Sequence, residues 1–223
     1  MAAFRSWLEH VPSHVELWSA RLPGREGRMT EPPITRLDTL VKSLAQAMHS
    51  YLDKPFALLG HSMGALIAFE LAREFRRYQS ALPACLFISG CRAPQIPDLN
   101  PPTYNLPYRR FVEELRRLNG MSEEVLENHE LMHFLVPLLR ADFEVCQTYV
   151  YEPAGLLDCA IRAFGGNDDE ETRDGRLEGW RKQTTGSFSM RMFKGDHFYL
   201  HAQKHSFLNV LCDELNRIAQ ALD

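Results

Sequence analysis

The chain has 223 residues, of which 45% are hydrophobic and 24% charged, and its formal net charge is -4 at pH 7. This composition is typical of a globular protein with one domain and a substantial core. The acidic balance gives no electrostatic case for nucleic-acid binding. We find neither a signal-peptide pattern nor the roughly 18 consecutive apolar residues of a membrane span. The five scattered cysteines form no C-x-x-C pair, so we expect reduced thiols and a cytoplasmic location.

The elements before residue 90 alternate between helix and strand, judged by hydrophobic periodicity and turn residues. They are a helix (1–12), a strand (15–22) ending at Pro23-Gly24, a helix (35–51), a strand (56–59), a helix (65–77) and a strand (84–89).

Residues 94 to 107 contain five prolines and interrupt this alternation. Short amphipathic helices are predicted after them, and residues 100 to 150 as a whole are predicted to be an insertion. The alternation then resumes with a strand (160–164), a helix (176–183), a strand (187–193) and a closing helix (202–222). This order predicts an α/β fold in one domain, residues 1–223, with a mostly parallel sheet and helices on both faces.

A strand, a sharp turn and a helix meet at Gly60-His61-Ser62-Met63-Gly64, which has the G-x-S-x-G spacing of a nucleophile elbow. Both glycines are predicted to avoid collisions in the tight turn. Ser62 is then displayed at the end of a strand, and the Met63 N–H is free to bind an oxyanion. The alternative is a turn in which Ser62 only caps the helix.

A serine nucleophile needs a base, and the base needs a group that orients it. In hydrolases with this elbow the chain order is Ser, acid, His. Consecutive carboxylates follow the predicted strand 160–164; we favour Asp169 as the acid, Asp168 is its nearest rival, and a solvated acidic loop is the alternative. His197 directly follows the next strand and is the predicted base.

The other histidines receive no catalytic role. His61 is expected to pack against or orient a neighbour, because its position on the strand points it away from Ser62. His129 and His133 lie four residues apart, but we predict no metal site and no cofactor.

Several motifs together span essentially the whole chain. They are Arg21-Leu-Pro-Gly-Arg-Glu26, Gly60-His-Ser-Met-Gly64, Pro137-Leu-Leu-Arg-Ala-Asp142, Gly166-Asn-Asp-Asp169, Trp180 and Gly195-Asp-His-Phe-Tyr-Leu200. With this set the chain resembles the type II thioesterases, stand-alone α/β-hydrolases that accompany nonribosomal peptide and polyketide synthases. It is also similar to the medium-chain thioesterase of animal fatty acid synthase.

The resemblance implies Ser62 as nucleophile, His197 as base and Asp169 as acid. It implies that residues 100 to 150 form a mobile helical lid over an acyl channel. The implied substrate is an acyl group held as a thioester on the phosphopantetheine arm of an acyl or peptidyl carrier protein, removed for editing or for product release. We expect a monomer.

In one respect the chain departs from the family pattern. The family opens with a strand and a glycine-containing loop that donates the second oxyanion N–H, and Met1 lies inside or just before the helix that follows them. The N-terminal strand and loop are therefore expected to be missing. A truncated or misassigned start, partial substitution by the backbone of Met1 and Ala2, and a weakened enzyme are the three explanations.

Other functions remain open. The same triad would serve a carboxylesterase or lipase that acts on small esters, or an acyltransferase. Because the N-terminal oxyanion loop is expected to be missing, a non-catalytic homologue that only binds carrier proteins is a further alternative. Four arginines of the insertion offer a basic surface to an acidic carrier, with a solvated face as the alternative: Arg109, Arg110, Arg116 and Arg117.

Overall fold

Four parallel strands form the centre of the computed structural model, which describes residues 6–78 and 81–222. They are β1 (Ala57–His61), β2 (Cys85–Ser89), β3 (Ala160–Gly166) and β4 (Phe188–Phe193), hydrogen-bonded in the order β1-β2-β3-β4. Because every pair is parallel, all four carboxyl ends meet at one edge of the sheet.

The helices of the described residues follow the predicted alternation. They are α1 (Leu37–Met48), α2 (Met63–Arg77), α3 (Tyr108–Arg117), α4 (Glu123–Glu127), α5 (His129–Gln147), α6 (Tyr199–Ala202) and α7 (Lys204–Leu222). Short 3₁₀ turns lie at Glu26–Arg28, His49–Tyr51 and Glu178–Gln183. The last of these replaces the predicted helix 176–183.

Helices cover both faces of the sheet, as predicted. Alternate side chains of β2 enter two different cores because successive residues of a strand point to opposite faces. Leu86 and Ile88 pack with α1 and α2, whereas Phe87 packs with α7 residues such as Phe207. The predicted mostly parallel α/β architecture is confirmed.

The block between β2 and β3 has a small core of its own, formed by residues of α3, α4 and α5. The buried members are Phe111, Leu115, Leu126, Met132 and Val136. Helix α5 is longer than the short helices predicted for this block, since it continues past Pro137 to Gln147. Val136 packs in the small core and Val145 in the main core, so tertiary contacts on both sides of the proline hold the helix together.

Two N-terminal predictions are wrong for the described residues. Residues 6 to 11 form turns rather than a helix, with the Trp7 carbonyl accepting from the N–H groups of His10 and Val11. Pro12 disfavours helical geometry at the residue before it, which ends the segment after about one turn. The first five residues of the predicted helix lie outside the described part.

Residues 15 to 22 have no regular secondary structure and belong to none of the described strands. Buried and exposed side chains do alternate here, since Val15 and Leu17 are half-buried and the residues after each of them are exposed. Leu17 packs against the core that contains Phe207. Side-chain packing alone therefore accounts for the pattern that predicted a strand.

Candidate active site

Ser62 lies between β1 and α2 in the sharp turn predicted for an elbow. Its φ and ψ are 54° and -120°, a conformation that non-glycine residues rarely adopt. The Ser62 N–H donates to the Ser89 carbonyl at 2.8 Å, which ties the turn to β2. The Ser62 side chain makes no capping hydrogen bond to α2. The strained residue is therefore not explained by helix capping, and its hydroxyl is left for another use.

The two elbow glycines differ in their need for a missing side chain. A Cβ on Gly60 would overlap the backbone carbonyl of Gly64, so only glycine fits there. A Cβ on Gly64 would meet nothing within 4 Å, so the predicted collision at this position is wrong. Gly64 serves instead as the backbone against which Gly60 packs.

The strain at Ser62 leads to a stability prediction. We expect Ser62→Gly to be more stable than Ser62→Ala by about 1 kcal/mol, because glycine adopts positive φ without steric cost. Ser62→Ala should match the wild type within about 0.5 kcal/mol, since no capping bond is lost. Urea denaturation of the three proteins measures the differences, and a glycine variant less stable than the alanine variant would contradict the strain.

Asp169 and His197 form a hydrogen-bonded pair beyond β3 and β4. The distance from His197 Nδ1 to Asp169 Oδ2 is 3.0 Å, and Asp169 is only 3% exposed. The other carboxylate oxygen of Asp169 accepts the Glu171 N–H at 3.0 Å. The rival Asp168 is exposed, and its backbone N–H donates to the Gly195 carbonyl. Of the two candidate acids, the structure pairs Asp169 with the histidine.

Backbone contacts hold these two loops together. A Cβ on Gly166 would lie 2.5 Å from the Gly195 carbonyl oxygen, so glycine permits the loops after β3 and β4 to touch. Asn167 donates its N–H to the Phe193 carbonyl at 2.8 Å. Arg92 pairs with Glu171 and, at 2.8 Å, with Asp98, which fixes the far side of the acidic loop.

Met63 is the first residue of α2. The N–H groups in the first turn of a helix have no partner within that helix and point toward its N-terminal end. Because Met63 directly follows Ser62, its N–H is available beside the serine.

His61 packs beside His197 in a small buried network. The ring centroids of His61 and His197 are 5.0 Å apart. His61 Nδ1 lies 2.9 Å from Ser89 Oγ, which in turn lies 2.6 Å from Tyr199 Oη. Ser89 is 1% exposed, so its hydroxyl cannot meet a substrate and serves the network instead. The sequence argument missed Ser89 and Tyr199, although Ser89 ends a strand at the same sheet edge as Ser62.

Burial, with a smaller contribution from the nearby His197, lowers the pKa of His61 from an ordinary 6.5 to about 3. Between pH 6.5 and 3 the unfolded chain therefore binds a proton at this site that the folded protein does not. The free energy of unfolding is therefore unaffected by this group above pH 6.5. Below pH 6.5 it decreases as the pH falls, by up to about 1.4 kcal/mol per pH unit.

We expect the wild type to lose about 2 kcal/mol more than His61→Phe between pH 7 and pH 5. The free energy of unfolding of both proteins, measured in urea at the two pH values, tests this difference. Equal losses would show that His61 is not held neutral.

The turn after α3 contacts the loop that carries His197. Asn119 Nδ2 donates to Asp196 Oδ2 at 2.9 Å, and this bond lowers the pKa of Asp196. Gly120 lies against the Phe198 ring, where a Cβ would come within 2.5 Å of the ring edge. One turn of the insertion thus rests on the residues that flank His197.

His129 and His133 enclose Glu130, so the start of α5 matches the H-E-x-x-H pattern of zinc enzymes. All three side chains are exposed. Within residues 6–78 and 81–222, no group of three or more His, Cys, Asp or Glu side chains is placed to hold a metal ion. The H-E-x-x-H pattern is therefore not joined by a third metal ligand among these residues.

No helix in the described ranges is long and apolar enough to cross a membrane.

The fold and the site together define an α/β-hydrolase. The evidence is the parallel sheet, the strained serine between β1 and α2, and the Asp169–His197 pair beyond the next strands.

Residues 1–218 match the family model for the thioesterase domain, and the chain belongs to the thioesterase family, enzymes that hydrolyse thioesters. It is 44% identical over 217 residues to the gramicidin S biosynthesis protein GrsT of Aneurinibacillus migulanus, covering 97% of this chain and 85% of that protein. It is 31% identical to the medium-chain S-acyl fatty acid synthase thioesterase of Rattus norvegicus, covering 88% and 76% of the two chains. The solved structure of RedJ, a thioesterase from the prodiginine pathway of Streptomyces coelicolor, superposes with a TM-score of 0.89 at 34% identity, covering 96% of this chain and 80% of RedJ.

Proposed function

We propose that Ser62, His197 and Asp169 are the catalytic triad of this thioesterase and that its substrate is an acyl group on the phosphopantetheine arm of a carrier protein. The observation that carries the proposal is the 3.0 Å Asp169–His197 pair, which follows β3 and β4 at the edge of the sheet where Ser62 is displayed. Similarity to GrsT and RedJ, both named for biosynthetic pathways, supports the choice of substrate.

In the proposed mechanism, Ser62 Oγ attacks the thioester carbonyl while His197 Nε2 takes its proton. Asp169 holds the imidazole by its Nδ1–H and stabilises the cation that forms. The Met63 N–H donates to the oxyanion of the tetrahedral intermediate. The thiol then departs with the proton from His197, leaving an acyl-serine. Water activated by His197 attacks this ester, and the free acid is released as Ser62 recovers its proton.

The thiols of the chain do not compete as nucleophiles. Burial raises the pKa of Cys85 to about 12 and that of Cys159 to about 11, so both remain protonated near neutral pH. All five cysteines are free, which fits the cytoplasmic location that we propose. We also propose that the enzyme acts as a monomer.

A fluorophosphonate and a pair of substrates test the proposal together. The reagent should label the peptide that contains Ser62, and an acyl-carrier thioester should be turned over faster than a p-nitrophenyl ester of the same acyl group. Preferred turnover of the ester would favour a carboxylesterase. Carrier binding without labelling or turnover would identify a non-catalytic homologue and overturn the proposal.

The carrier is proposed to approach the basic surface of α3, because carrier proteins are generally acidic. Arg116 is bonded to Glu123 at 2.8 Å, and Arg117 to Glu114 at 3.0 Å, so these two charges are already compensated. Arg109 and Arg110 are exposed and form no ion pair with any described residue. We therefore restrict the proposed docking surface to Arg109 and Arg110.

We expect Arg109→Glu combined with Arg110→Glu to raise KM for an acyl-carrier by about three- to tenfold, because surface charges mainly guide encounter. KM for the matching acyl-pantetheine should not change, since that substrate lacks the carrier. Lys42→Glu on α1 is the matched control for an exposed charge reversal. Equal KM values for the double variant and the wild type with acyl-carrier would remove α3 from the docking surface.

A further inference from the structure

The His197 ring is held by contacts of two kinds. Asp169 binds its Nδ1, but a single hydrogen bond leaves an imidazole free to rock about the line joining the two atoms. The rings of His61 and Phe198 restrict that movement: their centroids lie 5.0 and 5.1 Å from that of His197, with the His61 ring tilted by 41° and the Phe198 ring perpendicular. The ring of His61 is therefore part of the wall that orients His197.

The fold leaves room for the two histidines at Gly90, directly after β2. A Cβ on Gly90 would lie 2.5 Å from His61 Cε1 and 3.4 Å from His197 Cε1. Gly90 also has a φ of +57°, which favours glycine independently. The absence of a side chain at this position is thus what allows the rings to lie side by side.

The orientation of His61 is itself fixed by a buried hydrogen-bond chain. Tyr199 Oη and Ser89 Oγ are 2.6 Å apart, and Ser89 Oγ is 2.9 Å from His61 Nδ1. Tyr199 is fully buried and stacks on Phe193, with 5.3 Å between centroids. The chain therefore links the imidazole of His61 to the packed aromatic core under α7.

We propose that His61 is a positioning residue: anchored by Ser89 and Tyr199, its imidazole holds the His197 ring in the orientation needed to take the proton from Ser62. The inference rests on the proposed triad. It assigns to His61 a role that a plain hydrophobic residue does not fill, because a hydrocarbon ring forms no hydrogen bond with Ser89 and so loses the anchor.

The charge of His61 matters as well as its shape, because His197 becomes a cation during the reaction. The charged or titratable groups that face His61 are His197, Asp169 and His201. Its burial lowers its pKa to about 3, so no second positive charge opposes the imidazolium of His197 at working pH. His61 Nε2 is buried and has no hydrogen-bond partner among the described residues, so the anchor at Nδ1 is the one that fixes the ring.

Steady-state kinetics with an acyl-pantetheine substrate test the inference in His61→Phe and Ser89→Ala. The first variant keeps a ring but loses the anchor, and the second removes the anchor and keeps the histidine. We expect kcat to fall by about tenfold in both, because small misplacements of catalytic groups are costly. KM should stay within about twofold of the wild-type value, since in this proposal the two residues hold His197 and not the substrate. The rate at which a fluorophosphonate labels Ser62 should fall in parallel.

His10→Phe is the matched control. In the described part of the chain, His10 Nδ1 is the other buried side-chain nitrogen or oxygen without a hydrogen-bond partner. It converts a histidine ring to the same phenyl ring away from His197, and its kcat should equal that of the wild type. Wild-type kcat in Ser89→Ala, or a rise in KM that accounts for the loss, would overturn the inference, even if His61→Phe does not fold. Absence of turnover by the wild type would instead contradict the proposed function.

Discussion

Replacement of Ser62 by alanine is expected to lower the turnover of an acyl thioester by about a thousandfold or more, because no covalent acyl-enzyme can form without the hydroxyl. Ser62 makes no capping bond, and alanine tolerates its φ of 54° no worse than serine does. The loss of activity should therefore come without a loss of stability. Release of thiol from acyl-pantetheine, followed with a thiol-reactive dye, gives the measurement.

The residual activity of Ser62→Ala also separates two mechanisms. If His197 could activate water directly on the thioester, the variant would retain part of its turnover. Equal thiol release by wild type and variant would remove Ser62 from the nucleophile role. A burst of thiol in the wild type, absent from the variant, would identify the acyl-enzyme.

Asp169→Asn is expected to lower kcat by about 10⁴-fold, because an amide donor at this position favours the wrong tautomer of the base. The 3.0 Å bond from His197 Nδ1 requires an acceptor, and the Asp169 carboxylate also accepts the Glu171 N–H. Since Asp169 is 3% exposed, bulk water cannot replace the lost acceptor.

Asp168→Asn is the matched control for this variant. The two aspartates are adjacent, but the side chain of Asp168 is exposed and only its backbone contacts the loop of His197. Its kcat should stay within about twofold of the wild type. A large loss in Asp168→Asn and none in Asp169→Asn would reverse the assignment of the acid.

The sequence was sufficient to predict the parallel sheet and the loops that bear Ser62, Asp169 and His197. These residues follow short apolar strands, and parallel strands bring their carboxyl ends together whatever their separation along the chain. The preference for Asp169 over Asp168 relied on the resemblance to the type II thioesterases, because periodicity does not show which way two neighbouring side chains of one loop point.

Other features depend on contacts that no local pattern contains. The alternation of residues 15 to 22 reflects packing on one side, whereas a strand also requires a hydrogen-bonded neighbour. The anchor of His61 joins β1, β2 and the start of α6, so its members are separated by 28 and 110 residues along the chain. Gly64 shows the opposite case, because the motif suggested a collision there and a Cβ at this position would meet nothing within 4 Å.

The separate core of the insertion has a mechanical consequence. Its buried residues contact one another, and α5 joins this small core to the main one, because Phe143 packs against Phe111 while Val145 packs in the main core. The second half of α5 stays fastened to the body by the ion pair of Arg25 with Asp142. Pro137 interrupts the ladder of helical hydrogen bonds within α5. The contacts of Phe111 with Arg140 and Phe143 lie beyond the proline, so the helix is braced across it. Displacement of the small core would therefore break these contacts together with the Asn119–Asp196 bond and the packing of Gly120 on Phe198, so the insertion supports the loop of His197 instead of standing apart from it.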